Sequence, residues 1–344
     1  MTDLGCAGRK LLTVAVPAYN AAEYLPKCLT SFICPQMDAL EVIVINDGSS
    51  DDTLQIAQQF AHAYPQVFRL IDKENGGHGS GINQAAKAAT GDYFRVVDAD
   101  DWVLTDNLPV YLDALSKTSA DVVLTHFHTV DKQSGQRVPY RNEGLLYDVD
   151  HPIEALLPCI DRASKWFCIH SLSYRTEFYQ KLALQLSENI FYEDTEYAVL
   201  PFADVQSIRL VDVFIYEYLI GNASQSVSIA NYCKRYHHIE QVLLRLARQY
   251  EHRRGERLIT AEFLRRRICM LLGTYEKVML IYLPVRSTGR AATNSMLQTL
   301  EAIDPLLKKA NRTRYGLLLL LHYLRVSPDQ LESLYQRMKR KGNH

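Results

Sequence analysis

Three carboxylates come directly after a short apolar segment in the first third of the chain. Tyr93–Val97 is rich in β-branched and aromatic residues, and Asp98, Asp100 and Asp101 follow it. Carboxylates at positions i and i+2 beyond a strand end can turn toward one point. Hard oxygen ligands of this kind suit Mg²⁺ or Mn²⁺, which also bind a diphosphate. The competing interpretation is an acidic turn that caps a helix beginning after Thr105.

Two further segments carry residues suited to binding a nucleotide. Asp47 follows the apolar run 41–45, where a carboxylate can accept hydrogen bonds from a nucleobase or ribose, or can cap a turn instead. Residues 75–81 read NGGHGSG, and such glycines let backbone N–H groups approach an anion at a helix N-terminus. The spacing fits neither the Walker pattern nor the dinucleotide fingerprint. Lys73 either neutralises phosphate charge or is an ordinary surface lysine, and His78 is either a loop histidine or a ligand.

Carboxylates recur among aromatic side chains at Phe191–Tyr197. An acid in a partly apolar pocket has a raised pKa and can serve as a general base. The same residues also describe a helix N-terminus with Asp194 as its cap and Glu196 in the first turn. Composition does not separate the two interpretations.

These candidate residues follow the strands of a β-α-β-α-β pattern. Short β-branched or aromatic runs at 11–16, 41–45, 67–71 and 93–97 alternate with stretches of helical length at 23–32, 52–64 and 80–89. Asp51, Asp52 and Ser80 are the N-cap candidates. The pattern predicts a mostly parallel sheet with helices on both faces. Because ligands bind beyond the carboxyl ends of such strands, the polar segments are expected to meet at one sheet edge.

The rest of the chain divides into a strand-rich stretch and a helical one. Further strands are predicted at 121–129, 166–174 and 205–218, with a polar stretch around 131–143. From about residue 231 the periodicity is helical, as in 236–250, 258–282 and 328–339, the last opened by Ser327 as cap and Pro328 at the first helical position. We place the domain boundary near residue 225, in the polar stretch 221–228.

The net charge of −1 conceals two oppositely charged parts. Residues 1–229 carry −14 and residues 230–344 carry +13. The basic part is expected either to contact an anionic membrane or acceptor, or to dock on the acidic part.

Several features predict a cytoplasmic protein. The seven cysteines are odd in number and lack C-x-x-C spacing, which favours a reduced intracellular setting. Residues 1–10 lack the apolar core of a signal peptide. The longest aliphatic run, Leu317–Leu321, is far below the roughly 20 residues that span a bilayer, and it belongs either to the core or to a homodimer seam.

Taken in order, the segments that follow the strands resemble the motifs of family 2 glycosyltransferases with the GT-A fold. The matching phrases are VPAYN at 16–20, VINDGSSDDT at 44–53, NGGHGSGIN at 75–83, ATGDY at 89–93 and VDADD at 97–101. A weaker match joins 174–176 to 192–197, and the C-terminal third shows none. The resemblance implies a GT-A catalytic domain, with a Rossmann-like mostly parallel sheet, over residues 1–225. Nucleotide-sugar binding is expected in 11–105 and the acceptor and base region in 120–225, before a basic all-helical domain over 226–344.

The resemblance also implies a role for each site residue. Asp194 corresponds to the catalytic base of an inverting enzyme, which takes a proton from the acceptor hydroxyl. The expected ligands of Mn²⁺ or Mg²⁺ are Asp98, Asp100 and His170, with a packed strand histidine as the alternative for His170. The residues expected to bind the UDP-sugar are Pro17, Ala18, Tyr19, Asn20, Asp47, Lys73, Asn75, Gly76, Gly77, Asp98, Ala99 and Asp100.

The chain also departs from the family pattern. His78 intrudes in the glycine-rich loop, and Gly81 stands where alanine is usual. The Q-x-x-R-W signature of processive members is missing, and residues 225–228 read QSVS instead. Together with the lack of a membrane-spanning run, this favours single addition. The resemblance implies bacterial surface-polysaccharide synthesis with a glycan, lipid-linked or protein acceptor. The basic C-terminal part is expected at the inner face of the membrane, and no nucleic-acid partner is expected. Two alternatives are a degenerate transferase that binds a partner or membrane, and a sugar nucleotidyltransferase.

Overall fold

Four parallel strands begin the fold and end at the predicted site. The structure, a computed structural model, describes residues 10–221 and 228–333. The strands are β1 (Leu12–Ala18), β2 (Leu40–Asp47), β3 (Phe68–Lys73) and β4 (Tyr93–Val96). They lie in the order β3-β2-β1-β4, and each neighbouring pair is parallel. All residues of β1 and β2 are buried, as in strands covered on both faces. The predicted convergence of the strand ends at one edge is confirmed.

Helices connect these strands, as the sequence pattern predicted. They are α1 (Leu25–Thr30), α2 (Thr53–Ala63) and α3 (His78–Ala88). Asp52 occupies the N-cap position of α2, although the Thr53 N–H donates to Asp51 instead, over 3.0 Å. The prediction that Ser80 caps α3 is wrong, because the helix begins two residues earlier with Gly77 as its N-cap residue.

The strands that follow β4 make the sheet mixed, because some of them are antiparallel to their neighbours. Strand β9 (Leu172–Arg175) lies antiparallel between β4 and β6 (Val122–Asp131), and β10 (Ser207–Ile220) is parallel to β6. The remaining strands are β5 (Trp102–Val103), β7 (Arg137–Tyr140) and β8 (Asp150–Pro152). The remaining helices are α4 (Leu108–Ser116), α5 (Ile160–Trp166), α6 (Thr176–Lys181) and α7 (Asp194–Val199).

The predicted strand over 166–174 is largely wrong. Trp166 is the last residue of α5, and a turn follows before β9 begins at Leu172. In that turn the Ser171 hydroxyl donates to the Cys168 carbonyl over 3.2 Å. A short apolar run has neither the length nor the periodicity that separates a buried helix end from a strand, so the segment was open to either assignment.

The chain forms two compact units, residues 1–222 and 223–344. The boundary predicted at 225, like the QSVS phrase up to residue 227, lies outside the described residues, and so does Cys6. No disulfide joins the six cysteines that the structure describes. Within 10–221 and 228–333, no helix has both the length and the apolar character needed to cross a membrane.

The second unit is helical over its described residues. It contains α8 (Ile229–Arg253), α9 (Leu258–Lys277) with a π-helical turn at Val278–Tyr282, α10 (Arg286–Ile303) and α11 (Pro305–Tyr323). Residues 328–333 are helical too, and the Gln330 N–H donates to the predicted cap, Ser327, over 3.2 Å. The rest of that predicted helix, 334–339, lies outside the described residues. In the run Leu317–Leu321, Leu318 is buried whereas Leu317 and Leu320 are exposed.

Candidate active site

Asp47 fixes the glycine-rich loop that follows β3. Its carboxylate is buried at the end of β2, only 2% exposed, and accepts hydrogen bonds from Lys73 Nζ at 2.5 Å and from the N–H groups of Gly76 at 2.9 Å and Gly77 at 2.8 Å. Gly77 has φ of +84°, a backbone conformation that favours glycine. Both carboxylate oxygens of Asp47 therefore accept hydrogen bonds from the protein itself, and the contact of Asp47 with a nucleobase or ribose stays a prediction.

The loops after β1 and β2 are tied together by Asn20. Its side-chain oxygen accepts the N–H of Ser50 at 2.8 Å, and its own N–H donates to Ser49 Oγ at 3.0 Å. Tyr19, next to it, is 56% exposed. The pair of loops thus presents one free aromatic ring directly beyond the Pro17–Ala18 end of β1, where a planar base can stack.

The acidic turn after β4 is anchored to β10 through its third carboxylate. Asp101 is buried and accepts the Tyr216 hydroxyl at 2.5 Å and the Leu219 N–H at 2.7 Å. The Asp98 N–H donates in turn to the Tyr216 oxygen over 3.1 Å. Burial, together with the charge of Asp98, raises the pKa of Asp100 to about 6. A cation placed among these carboxylates would relieve that repulsion.

Two carboxylates of this turn, together with His170, have the spacing of a metal site. Ligand atoms of Asp98, Asp101 and His170 all lie within 4.8 Å of one another. Burial lowers the pKa of His170 to about 4, so its imidazole is neutral at pH 7, as a metal ligand requires. Asp100 does not belong to that group, and its place as a ligand stays a prediction. His170 stacks on Tyr218 with ring centroids 4.0 Å apart, so the histidine is packed as the alternative interpretation had it, but it lies in the turn before β9 and not in a strand.

His78 bridges two acidic segments that are far apart in sequence. Its Nε2 lies 3.0 Å from Asp98 Oδ1, and its Nδ1 lies 2.7 Å from Glu193 Oε1. Burial by itself lowers the pKa of His78, but the hydrogen bonds to Asp98 and Glu193 outweigh that effect and raise the pKa well above its usual value. His78 is therefore an imidazolium at neutral pH, with both ring nitrogens as donors.

The segment before α7 packs on the glycine-rich loop and so brings Asp194 to the same edge. The Asn189 N–H donates to the Gly76 carbonyl over 2.8 Å, and a Cβ on Gly79 would collide with the Ser187 carbonyl oxygen. Asp194 is accessible to solvent, yet the crowded cleft desolvates its carboxylate. That desolvation, with the charges of Glu193 and Asp98, raises the pKa of Asp194 to about 6.

Comparison with known proteins places this arrangement in a family. The model of glycosyl transferase family 2 matches residues 13–182. The chain contains a glycosyl transferase family 2 domain. The uncharacterized glycosyltransferase YibD of Escherichia coli K12 is 27% identical to this transferase over 252 residues, which cover 70% of the chain and 72% of the relative.

Solved structures share the fold of this glycosyltransferase. Staphylococcus aureus TarS 1–349 in complex with UDP-GlcNAc superposes with a TM-score of 0.58 at 20% identity and covers 91% of this chain and 92% of that one. The mannosyltransferase PcManGT of Pyrobaculum calidifontis, in complex with GDP-Man and Mn²⁺, has a TM-score of 0.50 at 17% identity and covers 92% and 87%. The predicted GT-A fold is thereby confirmed.

Sequence reasoning missed three polar residues of the transferase site. Glu193 accepts from His78, and its second oxygen is buried without a hydrogen-bond partner. Tyr216 supports the acidic turn from a strand about 115 residues away. Arg95 is fully buried in β4 and donates to Thr125 Oγ1 over 3.1 Å and to the His170 carbonyl. Two of them left a sequence signal: Arg95 is a charged residue inside an otherwise apolar strand, and Glu193 lies in the segment of carboxylates among aromatics.

Proposed function

We propose that this family member is an inverting, metal-dependent glycosyltransferase that moves a single sugar from a UDP-sugar to an acceptor hydroxyl. The observation that carries the proposal is the meeting of the acidic turn, the glycine-rich loop and the Asp194 segment at one edge of a family 2 sheet. The donor in the TarS complex, UDP-GlcNAc, supports a uridine nucleotide, and the Mn²⁺ in the PcManGT complex supports a divalent cation.

The donor lies along the edge formed by β1, β2 and the glycine-rich loop. The exposed ring of Tyr19 stacks on the uracil, beside Pro17, Ala18 and Asn20. The diphosphate meets backbone N–H groups at the start of α3, where the helix dipole favours an anion. Lys73 adds a cation to that region, although Asp47 partly neutralises it. The residues assigned to this part of the donor are Asp47, Lys73, Asn75, Gly76, Gly77 and Ala99.

A divalent cation fits the acidic turn because oxygen ligands and a neutral imidazole suit Mn²⁺ or Mg²⁺. Asp98, Asp100 and His170 would hold it, while Asp101 keeps its bonds to β10. When bound, the cation offsets the charge that develops on the departing diphosphate. Arg95, buried in β4, donates to the His170 carbonyl and so helps to hold that residue beside the acidic turn.

Asp194 serves as the general base. The acceptor hydroxyl loses its proton to the Asp194 carboxylate while its oxygen forms a bond to the anomeric carbon. The bond from that carbon to the diphosphate oxygen breaks on the opposite side, so the configuration inverts and UDP leaves. A base with a pKa of about 6 is ionised at pH 7 and still basic enough to assist the transfer.

We assign the reaction to bacterial surface-polysaccharide or glycoconjugate synthesis, with a glycan, lipid-linked or protein acceptor. The usual role of the family supports this assignment. The positive charge of residues 230–344 supports a location at the inner face of the membrane.

The donor assay tests the proposal directly. UDP release is measured for a panel of UDP-sugars with Mn²⁺, with EDTA as the metal-free arm. We expect one donor to be preferred, activity to vanish with EDTA, and Asp100→Ala and Asp194→Asn each to lose at least about 100-fold in kcat. The matched control is Asp113→Asn, an exposed acid on α4 paired with Lys117, which should keep full activity. Unchanged turnover in the two site variants would refute the residue assignments, and pyrophosphate formed from UTP and a sugar phosphate would favour the nucleotidyltransferase.

A further inference from the structure

The outward face of α11 carries a row of exposed leucines. Leu306, Leu317 and Leu320, with Leu324 just after the helix, are 53%, 56%, 55% and 65% exposed. At 100° per residue these leucines lie within about 40° of one line along the helix, and the row is about 27 Å long. Ala310 and Thr313, which are also exposed, fill the gaps. The row therefore forms one continuous apolar surface.

This row is not part of the core of the helical unit. The buried residues of α11 are Leu307, Asn311, Leu318 and His322, which lie on the opposite side of the helix. A contiguous exposed apolar surface of this length marks an interaction site, since isolated surface leucines are common but aligned ones are not.

Unpaired cations border the row on one side. Around the helix from the row, the exposed Lys309 lies about 60° away and the exposed Arg312 about 120° away. On the other side Arg314, about 80° away, is paired with Glu276. Among the described residues, neither Lys309 nor Arg312 is paired with a carboxylate, whereas Lys308 is paired with Glu301 over 2.6 Å. Helix α11 itself contains no acidic residue. The face thus combines an apolar row with uncompensated positive charge.

A cavity opens beside these cations, between α10 and α11. It has a volume of about 410 Å³ and is lined by Leu297, Glu301, Pro305, Lys308, Lys309, Arg312 and Tyr315. Three cations against one carboxylate leave the cavity with a positive charge, and Leu297 and Tyr315 give it apolar walls. An anionic group attached to an apolar chain matches both properties.

We propose that the outward face of α11 docks on the surface of a bilayer that contains anionic phospholipid. The leucine row enters the boundary between headgroups and acyl chains, and the cavity takes a lipid phosphate. Lys309 and Arg312 can keep their charges at headgroup level while their stems lie along the apolar surface. The inference deepens the membrane part of the proposed function, because it names the surface and the lipid chemistry. A bilayer fits better than a protein partner, because the row offers almost no hydrogen-bonding groups to a specific interface.

The test is sedimentation of the full chain with vesicles. At low salt, we expect binding to vesicles of phosphatidylcholine with 30% phosphatidylglycerol and none to phosphatidylcholine alone. Replacing Lys309 and Arg312 by Gln should weaken binding about fivefold for each cation, about 25-fold in total. Leu317→Gln with Leu320→Gln should weaken it at least tenfold. The matched controls are Leu258→Gln, an exposed leucine at the start of α9, and Lys87→Gln, an exposed lysine of the first unit, and both should bind as the unmodified chain does.

Three outcomes would overturn the proposal. The first is a lack of binding at low salt, or binding that the α11 variants do not change. The second is loss of binding in the cation variant alone, which would indicate a phosphate pocket without insertion into the bilayer. The third is a dimer in sedimentation velocity that the leucine variant converts to a monomer, because the face would then join two copies of the chain. UDP release measured in solution on the same samples reports the proposed activity separately. Vesicle binding without donor turnover would leave this inference intact and count against the proposed function.

Discussion

The pH dependence of transfer should report the pKa of Asp194. Because that pKa is raised to about 6, the carboxylate that accepts the proton is lost as the pH falls through 6. A group with this pKa is about nine-tenths ionised at pH 7 and about one-tenth ionised at pH 5, so kcat should fall about tenfold between those values. An ordinary aspartate, with a pKa near 3.8, would stay more than about 90% ionised over the same range and would leave kcat almost unchanged.

Two neighbouring charges allow the origin of this fall in kcat at acidic pH, the acidic limb of the profile, to be tested. Glu193 raises the pKa of Asp194 and His78 lowers it. Glu193→Gln should therefore move the acidic limb of the kcat profile to lower pH, and His78→Gln should move it to higher pH. The assay is UDP release under saturating donor and acceptor from pH 4.5 to 8.5, with Asp113→Asn as the control whose profile should match that of the unmodified protein. An acidic limb near pH 4, or shifts of the same sign in both variants, would refute the reasoning.

Three further outcomes are expected. Gly79→Ala places a methyl group against the Ser187 carbonyl. This variant should abolish most transfer and lower the free energy of unfolding by about 1–3 kcal/mol. The control Gly255→Ala, with open space around its Cβ, should change the free energy of unfolding by less than about 0.5 kcal/mol. Burial raises the pKa of Glu276 to about 7. The helical unit should therefore lose about 3 kcal/mol of stability as the pH rises from 4.5 through 7. Urea unfolding at pH 5 and pH 8 measures this loss, and Glu276→Gln should remove it. His78→Gln should also lower kcat more than it raises KM for the donor, because His78 bonds to Glu193, the neighbour of the proposed base Asp194; a pure KM effect would contradict this.

The sequence was most informative where parallel strands end. Asp47 and Asp98 lie at the carboxyl ends of the two strands that flank β1, and the order of alternating strands and helices is enough to bring them to one edge. The same logic located the glycine-rich loop, since it follows β3. These predictions need only local periodicity and the geometry of a parallel sheet.

The contacts across the site were beyond sequence reasoning. Asp100 and Asp101 are equivalent as sequence letters, yet only Asp101 reaches Tyr216 and Leu219, on a strand more than 110 residues later. The bridge from His78 to Glu193 likewise depends on how the segment before α7 folds back onto α3. Such pairings are decided by tertiary packing, which leaves no periodicity in the sequence. For the same reason His78 was open to two interpretations, loop histidine or ligand.

The bonds made by Asp47 have a consequence for the cost of binding. Lys73, Gly76 and Gly77 are held by one buried carboxylate that the fold itself supplies. Ordering a free backbone costs about 1–2 kcal/mol per residue in conformational entropy, and in this loop that cost is met when the protein folds. In the proposed function, an incoming nucleotide therefore meets a loop that is already ordered, and its binding does not include this entropy cost. The loop acts as a rigid part of the sheet edge, and its shape is set by a residue that belongs to a neighbouring strand.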